Sequence, residues 1–353
     1  MKQRKRPTTY KLIATGLMTT LVLAGTAACT SSGSGQAGGS AASSASGASG
    51  SAAGKHVVFV TCVDSNPWCG VYNHTVTDTL EKAGVKVTVL NDNFDPTLQV
   101  QHMNQAIAAK PDAILFLAAS DAALVPSIKK AKQEGIPVFA TDGRADDRAV
   151  ADLAGQLLAD HPVLGTYAAQ NLVEGLQKEG VMSGNIIAIT GTASQNLVQD
   201  RMKAFKAELA KTPQYKLVAE EDSKWDQATA VTLAQQLFTR FRDSGGVVGA
   251  YGMADQVATG IIQAAQQAGI PLGVANKGLI VTSSNCLKVG APYIKAGTMY
   301  GTATQTPVPE GKFVGTNVVK FVSGETLAKV LMVPEFRITG ANYDQYSGEC
   351  QAA

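Results

Sequence analysis

Cysteine has the widest chemistry open to it in this chain, and there are five of them. Cys29 ends an apolar run near the N-terminus, while Cys62, Cys69, Cys286 and Cys350 lie in the body of the sequence. These four allow three pairings into disulfides, of which closure over short separations favours Cys62–Cys69 with Cys286–Cys350. Metal ligation is the competing chemistry for thiols. The sequence has no C-x-x-C pair and only four scattered histidines, so no metal site and no cofactor is expected. Signatures of hydrolases are missing as well: there is no G-x-S-x-G, no H-E-x-x-H and no Cys–His nucleophile pair. Gly33, Gly35 and Gly38 do spell G-x-G-x-x-G, but no strand precedes them and no helix follows, so the match carries no nucleotide site. The residues point to binding rather than catalysis.

The N-terminal residues set the compartment. Lys2, Arg4, Lys5, Arg6 and Lys11 form a basic region ahead of an uncharged apolar stretch from Leu12 to Ala28. That stretch is short for a membrane span and reads as the core of a signal peptide, residues 1–28. Thr26-Ala27-Ala28-Cys29 resembles a bacterial lipobox, which implies lipidation of Cys29 and anchoring to the outer face of the cytoplasmic membrane. Residues 30–54 are almost wholly Ser, Gly and Ala, a composition that cannot bury apolar surface and behaves as a flexible tether. Export to an oxidising compartment favours disulfides between the remaining cysteines. Past residue 28 the chain holds 25 basic and 28 acidic residues, a net charge of −3. No basic patch is evident, which argues against nucleic acid as a partner. No second apolar run approaches membrane-spanning length.

The elements that position any site begin near Lys55 and occupy roughly 300 residues, enough for two domains. Val57 to Val60 reads as a strand, followed by a helix face made by Tyr72, Val76, Leu80 and Ala83, then Gly84 as a stop. The alternation continues with a strand from Val85, a helix over 97–109, a strand over 113–117, a helix over 122–134 and a strand over 136–140. It restarts after residue 161, with helices expected over 163–178, 197–210, 227–242 and 256–268. Strands are expected over 186–190, 216–219, 247–251 and 279–283. Nearly continuous apolar strands between helices predict parallel sheets covered on both faces. The fold class is therefore α/β, with two doubly wound units in succession.

Several segments, in this order and spacing, resemble the ribose-binding-like sugar-binding proteins of ABC transporters, within the type I periplasmic binding proteins. The resemblance spans about 55 to 340. Ser65-Asn66-Pro67-Trp68 resembles the turn that opens the first helix and brings aromatics to the cleft, which implies that Asn66 and Trp68 face ligand. Ile136 to Asp142 resembles the third-strand motif whose terminal Asp accepts from ligand hydroxyls; Gly143 intervenes before Arg144, where the family has Arg directly. Asp160-His161 resembles the start of the crossing into the second lobe and makes His161 a candidate contact. Gln199 to Phe205 resembles the second-lobe helix that sends an Arg, here Arg201, into the cleft. Trp225 takes the place of the opposing aromatic wall. Ala254 to Gly260 resembles N-D-x-x-A-x-G with Asp255 retained and the Asn replaced by Ala254. Asn285 stands where an Asp is usual, and Gln305 matches the Gln of the second crossing.

The resemblance implies a hinge of three crossings, near 160, 305 and Pro334. One lobe would comprise 55–160 plus 306–333 and the other 161–305 plus 334–353, which puts each expected cysteine pair within one lobe. It also implies a monomeric solute-binding lipoprotein that closes on a sugar or polyol and delivers it to ABC permease subunits. Rival readings are a receptor-coupled sensor of a sugar-like signal or nucleoside, and a hydrolytic enzyme.

Overall fold

A computed structural model describes residues 50–351. The signal-peptide and Cys29 expectations, and most of the tether, lie outside the described residues.

The chain opens with β1 (His56–Thr61), α1 (Pro67–Lys82), β2 (Lys86–Asn91), α2 (Pro96–Ala108), β3 (Ala113–Phe116), α3 (Asp121–Gln133), β4 (Val138–Asp142) and β5 (Gly155–Ala159). It then passes through α4 (His161–Glu179) into β6 (Gly184–Thr190), α5 (Asn196–Leu209), β7 (Tyr215–Asp222), α6 (Gln227–Phe241), β8 (Gly249–Gly252), α7 (Asp255–Gln267), β9 (Ile280–Thr282), α8 (Ala291–Lys295) and β10 (Gly301–Ala303). The last part holds α9 (Pro307–Val322), β11 (Val330–Val333), β12 (Arg337–Thr339) and α10 (Tyr343–Gln351).

Two six-stranded sheets result, ordered β11-β5-β4-β3-β1-β2 and β12-β10-β9-β8-β6-β7. The first is parallel throughout, and the second is parallel except for β12, which runs antiparallel to β10. The chain thus passes between sheets after β5, β10 and β11. This is the doubly wound, two-lobed α/β architecture that the periodicity predicts.

Central strands are apolar on both faces because helices cover both. On one side of the first sheet Phe59, Leu115 and Phe139 pack with Tyr72, Val76 and Leu80 of α1 and with Val314 and Val318 of α9. On the other side Val58, Ile114 and Phe116 meet Met103 and Ile107 of α2 and Leu124 and Ile128 of α3. The second lobe has one continuous core, in which Ile186, Ile187 and Ile189 pack with Leu172, Phe205, Leu237 and Ile261. Burying a side chain of this size contributes about 1.5–3 kcal/mol.

The sequence carries no strand signal at β5, β10, β11 or β12. β5 carries Gly155 and Gln156, β10 has only three residues, and the side chains of β11 alternate between exposed and half-buried, so none shows a continuous apolar run. Cys62–Cys69 and Cys286–Cys350 are disulfide-bonded. No helix among the described residues is long and apolar enough to cross a membrane.

Candidate functional site: an interlobe cleft

Side chains of the cleft sit mostly just past the carboxyl ends of strands, where a doubly wound sheet presents its loops. Trp68 follows β1, Phe94 follows β2, Leu117 follows β3, and Asp142 ends β4. Facing them, Gln195 follows β6, Trp225 follows β7, Gln256 follows β8, Asn285 follows β9 and Gln305 follows β10; all line one cleft together with Arg201 of α5. Phe94, Asp142, Trp225 and Asn285 have φ of 58°, 62°, 63° and 94°. Such backbone costs about 1–3 kcal/mol at a non-glycine residue, and the surrounding packing holds it.

Trp68 owes its place to local chemistry. Pro67 occupies the first helical position, and Asn66 caps α1 by accepting from the backbone N–H of Trp68 (3.0 Å) and Cys69 (3.2 Å). The indole stacks on Tyr72 at 4.5 Å between centroids, and its Nε1 donates to the backbone oxygen of Gln305 at 3.1 Å. The Cys62–Cys69 disulfide bridges the loop between β1 and α1, and both cysteines line the cleft.

Trp225 is fixed from the other lobe. Its Nε1 donates to Gln195 Oε1 at 2.7 Å, and the Arg201 guanidinium lies 5.9 Å from its ring centroid. Gly191 admits the indole, since a Cβ there would overlap the ring.

Arg201 is 1% exposed and organises the polar floor. Its Nε donates to His161 Nδ1 (3.0 Å), Nη1 to the Met253 carbonyl (3.0 Å) and Nη2 to Gln305 Oε1 (2.9 Å). Gly165 allows this approach, because a Cβ would overlap the Arg201 backbone where α4 crosses α5. Since His161 Nδ1 accepts, its proton sits on Nε2, which lies 3.0 Å from the Asp142 backbone oxygen and 3.2 Å from Oδ1. Gln305 completes the chain: its Nε2 donates to Asp142 Oδ1 (2.8 Å) and Glu310 Oε2 (3.2 Å), while its Oε1 also accepts from Asn285. Burial works to raise the Asp142 carboxyl, but His161, Arg201 and Glu310 hold it below the ordinary carboxylate range. Burial and the neighbouring Asp142 and Glu335 push Glu310 well above its ordinary value. The cleft thus carries one compensated carboxylate–guanidinium set, a setting for a neutral ligand. Asn285 Oδ1 and Gln256 Oε1 are buried without hydrogen-bond partners, so donors from a ligand would satisfy them.

Three expected contact residues are placed elsewhere. Arg144 does not line the cleft; the extra residue Gly143 carries it outward, where it forms a two-pronged ion pair with Asp200. His161 stands behind Asp142 and Arg201 rather than in the cleft. Asp255 lies behind the β9 loop, accepting from the Leu287 N–H (2.6 Å) and the Thr302 hydroxyl (2.9 Å), and burial raises its carboxyl to about 6. Asn66 lines the cleft, with its side-chain oxygen engaged as a helix cap. Gln195, Gln256, Phe94 and Leu117 are cleft residues that no motif marks in the sequence, because neutral or apolar side chains at the ends of strands and helices carry no spacing signal. No cluster of three metal-ligating side chains occurs among the described residues.

Two parallel-sheet lobes with loops converging on a polar, tryptophan-walled cleft define a class of protein that captures small solutes between its lobes. The periplasmic binding protein domain model matches residues 57–326, and the chain belongs to that family. It is similar to the xylitol-binding protein of Mycolicibacterium smegmatis, 26% identical over 66% of this chain and 63% of that protein's length. It is also similar to the D-allose-binding periplasmic protein of Escherichia coli, 24% identical over 81% of this chain and 90% of that one. A crystal structure of a galactofuranose binding protein superposes with a TM-score of 0.75 at 17% identity, covering 83% of this chain and 99% of the other.

Proposed function

We propose that this chain is an extracytoplasmic solute-binding protein of an ABC importer that captures a neutral sugar or polyol. Two relatives are named for xylitol and D-allose. The observation that carries the reading is the pairing of Trp68 and Trp225 as walls around the buried, unpartnered acceptors of Asn285 and Gln256. Indole faces take the C–H surface of a polyol. The acceptors, with Asp142, take its hydroxyls, and a ligand lacking one strands a buried partner.

In this reading Asn66, Trp68, Asp142, Arg201, Trp225, Asn285 and Gln305 form the site, with Gln195 and Gln256 added. Lobes 55–160 plus 306–333 and 161–305 plus 334–353 rotate about the three crossings, and contacts from both lobes favour the closed state. The ligand leaves chemically unchanged. A lipid on Cys29 and the Ser/Gly/Ala tether keep the monomer near its permease at raised effective concentration.

A thermal-shift screen of xylitol, D-allose, ribose, myo-inositol and further pentoses, hexoses and polyols tests this. A ligand at about 100 times its Kd adds about 2.7 kcal/mol to stability, a clear rise in Tm. Calorimetry on the responding ligand should then give one site per chain. No shift from any member of the panel overturns the reading.

A further inference from the structure

The two lobes also meet at the rim of the cleft, in a short stretch at the start of α5. Ser194 Oγ donates to the Ala119 carbonyl (2.8 Å) and Gln195 Nε2 to the Ala118 carbonyl (2.7 Å). The Asn196 backbone N–H donates to Asp121 Oδ2 (2.7 Å), and its Nδ2 donates to the Arg144 carbonyl (3.3 Å). One turn further, Arg144 Nε and Nη2 grip Asp200 Oδ2 and Oδ1 at 2.7 and 3.2 Å. Residues 194–200 follow β6 of the second sheet or belong to α5, the helix after it; Ala118, Ala119, Asp121 and Arg144 follow strands of the first.

The Asn196–Asp121 bond has a particular character. Asn196 is the first residue of α5, and the capping residue Gln195 makes no side-chain bond to its own helix. The first N–H groups of a helix need an acceptor. Here a buried carboxylate from the opposite lobe supplies one, so α5 is capped in trans only while the lobes are together. Gln195 joins this contact to the cleft, because the amide that reaches Ala118 also accepts from the Trp225 indole.

We infer that Asp121–Asn196 and Arg144–Asp200 form a latch that holds the closed state from outside the binding cleft and so sets how slowly ligand leaves. The inference rests on the solute-binding reading for its kinetic part only. The latch acts without touching ligand: Arg144, Asp200 and Asp121 do not line the cleft. They are positioning residues, and they act on the equilibrium between open and closed forms. Ligand capture then works on a protein already biased toward closure, and the affinity includes that bias.

The test compares full-length wild type with Arg144→Ala, Asp200→Ala, the charge exchange Arg144→Asp with Asp200→Arg, and Asp121→Ala. Ligand-free small-angle scattering should show a larger radius of gyration for each single variant, and the exchange should restore the wild-type value. With whichever polyol shifts the wild type, the Arg144 and Asp200 variants should release it about 2–5-fold faster, the range expected of a half-exposed pair. Asp121→Ala, which uncaps a helix, should release it about 5–10-fold faster. The association rate should stay within about twofold, since affinity differences reside mostly in dissociation. Tm in the absence of ligand identifies any variant that has lost its fold, and the Arg144 and Asp200 variants carry the test if Asp121→Ala does. Unchanged scattering together with unchanged release overturns the latch, as does a charge exchange that fails to rescue. A wild type that binds no polyol overturns the solute reading alone, because the scattering comparison needs no ligand.

Discussion

The Trp68 indole nitrogen donates to the backbone oxygen of Gln305, 237 residues further along the chain, at 3.1 Å. One wall of the cleft is thereby fastened to the segment that crosses between lobes, and Gln305 in turn touches Asp142, Arg201, Asn285 and Glu310 through its side chain. Wall, floor and hinge are one connected structure.

Trp68→Ala removes both the stacking face and this tether. Calorimetry with a polyol that binds the wild type should show a loss of about 1–3 kcal/mol, the range measured for base–aromatic stacking. Trp68→Phe keeps a ring and loses only the hydrogen bond, so it should retain most of the affinity. Equal affinities for wild type and Trp68→Ala would remove Trp68 from the site.

Arg201→Lys keeps the charge and loses the planar fork. A lysine reaches fewer of the three acceptors now served, at His161, Met253 and Gln305. Each buried acceptor left unserved costs about 1–3 kcal/mol, so urea unfolding should show a lowered midpoint and calorimetry a loss of affinity. A variant as stable as wild type would contradict the organising role of the guanidinium.

The disulfides should differ in worth. Cys62–Cys69 closes 7 residues and Cys286–Cys350 closes 64. Loop-closure entropy assigns about 2.5 kcal/mol to the first and about 4 kcal/mol to the second. Paired serine variants should follow that order in chemical denaturation. The first pair should also lower affinity, since its sulfurs line the cleft beside Trp68.

Burial raises the Glu335 carboxyl to about 8, partly offset by the hydrogen bond from Thr304. In the unfolded chain a glutamate titrates at about 4.3. Between these values the folded state keeps a proton that the unfolded state has released, so stability falls as pH rises through the window. Asp92 and Asp121, raised to about 7 mainly by burial, act in the same direction. Glu335→Gln can still accept from Thr304 and cannot ionise. Its Tm should fall less than that of wild type between about pH 5.5 and about pH 8.5. Parallel curves would rule out Glu335 as a source of the slope.

Much of the fold was legible because its central strands, such as β1, β3 and β6, are runs of Val, Ile and Leu bounded by turn residues. β5 was not, since Gly155 and Gln156 interrupt it and only pairing with β4 and β11 makes it a strand. In the cleft, Trp68 and Trp225 could be placed by order along the chain, whereas Gln195 and Gln256 could not. Their roles come from left-handed backbone at Trp225 and from partners many residues away. Arg144 shows the same limit from the other direction. A single added glycine turns it from the cleft to Asp200, and a sequence holds no record of which acid stands across a gap between lobes.

The first lobe is not made from one stretch of chain. Its sheet lacks edge strand β11 until residues 330–333 join β5, and one face of its core lacks Val314, Val318 and Val322 until α9 arrives. By then the whole second sheet except β12 has been spelled out. A chain emerging from its N-terminus therefore presents a first half that cannot finish folding ahead of the rest. The interleaving that joins the lobes in the finished protein also ties the completion of the first lobe to the synthesis of nearly all of the second.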